Sequence, residues 1–114
     1  MVVKINDLDQ VLQRAREVYG NKNQIMVVIE ELNELSCVLA KYPRYDNHDI
    51  AVEKTYERVC DEFADVLIVL EHVKAIYNLK DHDIAVNIDK KTRRLERWLD
   101  SSDHFQYTTE SREV

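Results

Sequence analysis

Apolar residues recur at three- and four-residue steps along almost the whole chain. Leu8, Val11, Leu12, Ala15, Val18 and Tyr19 follow this rhythm and predict an amphipathic helix from about Asn6 to Tyr19. Asn6 or Asp7 can cap its start, and Gly20 suits its stop. A second helix is predicted from about Lys22 to Tyr42. Pro43 ends it, because the ring disfavours helical backbone at the residue before it. Pro43 to Asp49 reads as a polar loop. The third helix, from about Ile50 to Tyr77, is the longest, and the stretch from Val59 to Ile76 is the most apolar of the chain. "NLKDHD" interrupts the pattern, and Asp81 or Asp83 can cap a fourth helix reaching about Leu99. Residues 1–100 thus read as one helical domain. Residues 101–114 are polar and aperiodic and read as a loose tail; the alternative is a flap that orders on a ligand or partner.

Composition agrees with an all-α chain. One Gly and one Pro in 114 residues leave too few turn residues for a sheet with tight hairpins. At this length a single core is modest, so assembly with further copies would help it. The net charge of −6 argues against a nucleic-acid binder, which needs a basic face for phosphates. It does not exclude a phosphorylated small molecule bound through metal ions. No apolar run approaches the ~20 residues of a membrane helix, and no leader peptide is evident, so no membrane partner and a cytoplasmic location are expected. Cys37 and Cys60 show no metal-binding spacing and read as small core residues.

One stretch sits uneasily in this pattern. "VVIEELNEL", residues 27–35, sets Glu30, Glu31 and Glu34 among Val27, Val28, Ile29, Leu32 and Leu35. At roughly 100° per residue, Gln24, Val27, Glu34, Leu35 and Val38 all fall within roughly 60° of Glu31, and Glu30 lies on the flank. On the third helix the same rotation puts Val59, Asp65, Val66 and Val69 on the face of Glu62. Two neighbouring helices thus each carry an acid pair inside an apolar stripe. An ExxE or ExxD alone is usually a solvated strip; two of them mid-stripe on adjacent helices are harder to dismiss. Ionised carboxylates about 5 Å apart repel by roughly 3 kcal/mol per pair at an effective dielectric near 20. A divalent cation relieves that repulsion, and hard carboxylate oxygens suit Mg²⁺ or Mn²⁺. A di-iron bundle would need ExxH pairs, and the residues three before His48, His72, His82 and His104 are Tyr45, Val69, Leu79 and Ser101.

The fourth helix offers the opposite charge in "NIDKKTRRLERWL", where Asn87, Lys90 and Arg94 recur at roughly one-turn intervals. An exposed helix laced by pairs such as Asp89 with Arg93 is the simpler reading; a phosphate clamp is the functional one. Taken together, Glu30-Glu31-Leu32-Asn33-Glu34, then Glu62-Phe63-Ala64-Asp65, then Asn87 to Leu95 resemble the EExxE, ExxD and basic motifs of the all-α nucleoside triphosphate pyrophosphohydrolases, the MazG-like group. The resemblance spans about residues 8–99. Asp61 before Glu62 and Asp89 inside the basic segment depart from the pattern.

The resemblance implies a four-helix, bundle-like fold assembled as a homodimer or as a dimer of dimers, a homotetramer. It implies Mg²⁺, or Mn²⁺ in its place, held by Glu31, Glu34, Glu62 and Asp65. It implies phosphate contacts from Lys90 and Arg94, with Asn87 of the same motif also on the substrate. The expected reaction is hydrolysis of a nucleoside triphosphate to its monophosphate and pyrophosphate. Glu34 and Glu30 are both candidates for the general base. Gln24, on the acidic face, can bond a base or sugar, although it suits a polar helix residue facing solvent equally well. Tyr42, Tyr45, Tyr56 and Trp98 can stack on a base, although each suits core or dimer packing as well. Two alternatives stand beside this: a phosphoribosyl-ATP pyrophosphohydrolase or dUTPase-type enzyme on the same fold, and a non-catalytic helical interaction protein whose acids bind a structural cation.

Overall fold

The structure is a computed structural model and describes residues 5–101. It is helical throughout, with no strand among the described residues. Four α-helices follow one another: α1 (Ile5–Tyr19), α2 (Asn21–Leu39), α3 (His48–Ile76) and α4 (Asp81–Leu99), with a short 3₁₀ turn at Tyr42–Arg44. The chain divides into two compact units, one ending at Asn78 and the other beginning at Leu79. The first therefore holds α1, α2 and α3, and the second holds α4. The tail expected over 101–114 lies, apart from Ser101, outside the described residues.

Within the first unit, α2 and α3 share the principal interface and α1 packs on both. Their sense follows from which residues meet. Glu31 of α2 meets Glu62 and Asp65 of α3. Further along α2, Val38 and Leu39 line one groove with Val52, Thr55 and Val59. Moving up α2 thus means moving down α3, so the pair is antiparallel. Val28 and Val38 of α2 and Ala51, Val66 and Val69 of α3 are buried, joined by Leu12 of α1. Burying such side chains contributes on the order of 1.5–3 kcal/mol each for the larger ones. Val11 and Val18 of α1 share its apolar rhythm yet are exposed.

The connections are set by a few residues. Gly20 is the whole link between α1 and α2, at φ +87°, a backbone that side-chain-bearing residues rarely adopt. Its amide bonds Arg16 O at 2.8 Å and its carbonyl accepts from Gln24 N at 3.2 Å, closing one helix and opening the next. Helix α2 stops at Leu39, three residues earlier than its pattern suggests. Tyr42, Pro43 and Arg44 form the 3₁₀ turn, where proline's fixed φ and missing N–H cost nothing. The Tyr42 hydroxyl hydrogen-bonds His48 Nδ1, tying that turn to the start of α3. Asn47 caps α3 by accepting from Asp49 N at 2.7 Å and Ile50 N at 3.4 Å, so the helix begins at His48, two residues before the expected start. Asn78, at φ +52°, closes its far end.

Three expectations about chain ends and cysteines are corrected. Helix α1 already includes Ile5, so Asp7 sits inside its first turn, where it faces the helix dipole favourably, and is not its cap; the Asn6 side chain lies outside what the structure describes. Lys80 is the capping position of α4 and makes no side-chain cap bond, so Asp81 and Asp83 are likewise first-turn acids. Cys37 and Cys60 are exposed free thiols, not core residues.

Candidate metal and phosphate site

The acids converge at mid-seam between α2 and α3. One ligand oxygen from each of Glu31, Glu62 and Asp65 lies within 4.8 Å of the others. This follows from the helical phase: Glu31 projects from α2 on the stripe of Gln24 and Val38, and Glu62 and Asp65 project from α3 on that of Val66 and Val69. Glu62 is only 6% exposed, and Glu31 and Asp65 are half-buried. Oε2 of Glu31 and Oε2 of Glu62 are buried and have no hydrogen-bond partner among the described residues. An ionised carboxylate is costly to hide in that state, and such an orphan asks for a donor or a cation.

Glu34, one turn beyond Glu31, is exposed and stands outside that set of three. Its negative charge nevertheless acts on both Glu31 and Glu62. Burial first, then the charge of Glu34, Asp65 and Glu62, pushes the Glu31 carboxyl above its ordinary value of 4.5. The Glu62 carboxyl is raised likewise, by burial first, then by Glu34 and by Asp61 and Asp65. Glu30 is exposed and lies outside the cluster.

Two features flank the acids along the seam. Toward the C-terminal end of α2 is an open, apolar groove of about 230 Å³, lined by Val38, Tyr42, Val52, Tyr56 and Val59 among others. It gathers two of the tyrosines named as base-stacking candidates. Toward the other end, Gln24 is buried at 8% exposure and borders an open hollow with Ala15, Tyr19 and Asn23. Beyond it on α3 is His72, fully buried at 2% exposure, whose Nδ1 stands 3.0 Å from Nη1 of Arg16 on α1. A guanidinium can only donate, so Nδ1 is the acceptor and His72 is held neutral. Burial, then Arg16, lowers its pKa below 6.5.

The sequence singled out neither His72 nor Arg58. His72 follows Asp65 by seven residues and so shares its face, a signal available from spacing alone. Arg58 precedes Glu62 by four, the spacing of an intrahelical ion pair, and its Nη2 lies 3.7 Å from Glu62 Oε1.

The basic helix α4 belongs to the second unit, and its side chains are exposed apart from half-buried Ile84. Part of its polar complement is committed to the helix itself. Asn87 Nδ2 donates to Asp83 O at 2.9 Å. Arg93 pairs with Asp89 at 3.5 Å and with Glu96 at 3.1 Å. Lys90 and Arg94 are exposed on the same helix. The simpler reading of this segment thus accounts for Arg93 and Asn87.

No helix among the described residues is long and apolar enough to cross a membrane. Compared with models of known families, with curated proteins and with solved structures, the chain returned no match.

Proposed function

We propose that the chain is a Mg²⁺-dependent nucleoside triphosphate pyrophosphohydrolase, releasing a nucleoside monophosphate and pyrophosphate, with a four-helix MazG-type architecture. The observation that carries this reading is the pair of buried, unpartnered oxygens, Glu31 Oε2 and Glu62 Oε2, in a carboxylate cluster within 4.8 Å. The donor set is all oxygen, which fits Mg²⁺, with Mn²⁺ as a substitute, and disfavours softer ions. Glu31, Glu62 and Asp65 would hold the cation, with Glu34 as a fourth ligand or as the base. A divalent cation bound there supplies the charge that polarises phosphoryl oxygens and acidifies a bound water.

The protein's own groups divide the remaining work. The cluster alone repels a polyanionic substrate, so its carboxylates bind triphosphate only in company with positive charge. Glu34 is exposed and adjoins both Glu31 and Glu62, which suits it, better than Glu30, to accept the proton of the attacking water. The water oxygen forms a bond to the α-phosphorus as the bond to the bridging oxygen breaks, and the electron pair leaves on pyrophosphate. Lys90 and Arg94 would neutralise that leaving group. The groove beside Tyr42 and Tyr56 can take a base, and Gln24 can bond a polar edge.

Assembly with a second copy belongs to the same reading. Met26, Ile29 and Leu32 of α2 and Phe63, Leu67 and Leu70 of α3 are all exposed, an unusual amount of apolar surface for a lone chain. The test of function is pyrophosphate release, with and without Mg²⁺, across canonical and oxidised nucleoside triphosphates, dUTP and phosphoribosyl-ATP. Magnesium-dependent turnover of at least one, abolished by Glu62→Gln, is the expected result. Mn²⁺ binding without turnover of any of them would favour the non-catalytic alternative.

A further inference from the structure

Glu62 divides its two carboxylate oxygens. Oε1 faces Arg58, whose Nη2 is 3.7 Å away, and Oε2 is buried without a partner in the acidic cluster. Arg58 itself is 64% exposed along its side chain, so its guanidinium borders solvent at the rim, while the Glu62 side chain it faces is 8% exposed. Both residues lie on α3, one turn apart, so the pairing is fixed by one rigid element. An ordinary surface pair leaves both partners solvated; here one is inside the cluster and the other at its mouth.

We propose that Arg58 is a phosphate-binding residue of this site, its guanidinium meeting the triphosphate at the rim while Glu62 turns its other oxygen to the cation. This inference rests on the cation-dependent pyrophosphohydrolase reading and adds to it a positive group from within the first unit. The chemistry matches: a guanidinium is a fixed cation with a planar fork that suits phosphate oxygens, and it cannot be deprotonated in the working range. The position matches as well. An anion held against a cation on Glu62 would be brought beside the Arg58 guanidinium that Glu62 already contacts. Arg58 stands on the same helix as Glu62 and Asp65, so its place beside the acids is set within the first unit.

Two opposing effects separate this role from a plain ion pair. Without substrate, the guanidinium competes with a cation for Glu62, so its removal should tighten Mn²⁺ binding by about threefold, the range of a partly solvated pair. With substrate, the lost charge-assisted contact should weaken the triphosphate by about tenfold. The experiment uses the full chain and three proteins: wild type, Arg58→Gln and Arg58→Lys. Mn²⁺ affinity is measured alone, and then the affinity of a non-hydrolysable nucleoside triphosphate analogue is measured at saturating Mn²⁺. The expected result is tighter Mn²⁺ and weaker analogue for Arg58→Gln, with Arg58→Lys recovering part of the analogue affinity. Analogue affinity unchanged in Arg58→Gln, in a protein whose wild type binds Mn²⁺, overturns the role of Arg58 alone. Wild type that takes up no Mn²⁺ overturns the site reading and this inference with it.

Discussion

Asp65→Asn isolates the electrostatic cost of the acidic cluster, because the amide keeps the shape of the carboxylate and deletes its charge. Oxygens of Asp65, Glu31 and Glu62 lie within 4.8 Å of one another. At that separation two ionised groups repel by about 0.9 kcal/mol in water and about four times that at an effective dielectric near 20. Asp65 is half-buried, which favours a value near the lower limit. One relieved repulsion of about 1 kcal/mol corresponds to a rise of roughly 4–6 °C in Tm for a domain of this size. Thermal unfolding followed by circular dichroism, in low salt at pH 7.5 with chelator, should therefore show the variant melting above wild type. At pH 4, below the ordinary 4.5 of its raised neighbours, the gain should vanish, since those carboxyls carry protons in the fold. Millimolar Mg²⁺ should raise the wild-type Tm by more than that of the variant. Turnover should fall by about two orders of magnitude or more. A variant that melts lower without metal, or that gains as much from Mg²⁺ as wild type, would show that Asp65 neither strains the cluster nor helps to hold a cation.

Glu34→Gln should remove turnover while changing Mn²⁺ affinity by less than about tenfold, whereas Glu30→Gln should stay close to wild type in both; steady-state kinetics and metal titration decide between them. For Glu31 and Glu62 the fold holds protons that the unfolded chain releases, so the stability they contribute without metal is full below pH 4.5 and is lost as pH rises through their folded values; melts between pH 4 and 8 should show this decline, and saturating Mg²⁺ should flatten it. His72 works the other way: its lowered pKa means stability present above pH 6.5 is lost as pH falls below it, and His72→Gln, which keeps an acceptor for Arg16, should erase that part of the curve. Gly20→Ala meets no atom within 4 Å, so its cost of about 1–3 kcal/mol should come from the backbone at φ +87°, ψ +155° alone and appear as a lower denaturant midpoint with unchanged slope. Leu67→Lys, on an exposed apolar face, should leave the chain helical yet shift its mass in light scattering from a dimer or tetramer toward the monomer.

The acids became legible because helical phase is a strict geometric constraint. Once Glu31 shares a stripe with Gln24 and Val38, and Glu62 with Val66 and Val69, packing of the two stripes leaves the carboxylates nowhere else to go. Burial of Gln24, Val28, Val38, Glu62, Val66 and Val69 follows that logic. Chain ends were less legible, since several polar residues near each boundary compete for the capping position. Asn47 won at α3 by bonding two amides, while Asp7, Asp81 and Asp83 satisfied the helix dipole from inside the first turn. The exposed cysteines show the limit of residue type as a guide: 37 and 60 lie off the buried stripes, whatever the preference of a thiol. Arg58 and His72 escaped for a related reason. Each has an ordinary local explanation, an i, i+4 pair and a helix residue, and only the arrival of Glu62's orphan oxygen and of Arg16 from another helix gives it meaning.

On the proposed reading, Glu31, Glu62 and Asp65 clasp one divalent cation between α2 and α3. The most direct measurement is a Mn²⁺ titration of the purified full chain at pH 7.5, followed by electron paramagnetic resonance, beside Glu31→Gln and Glu62→Gln variants shown by circular dichroism to be helical. Saturable uptake by wild type that Mg²⁺ displaces, and that either variant weakens by about tenfold or more, is the predicted result. Uptake absent from wild type, or equal in all three proteins, would contradict it.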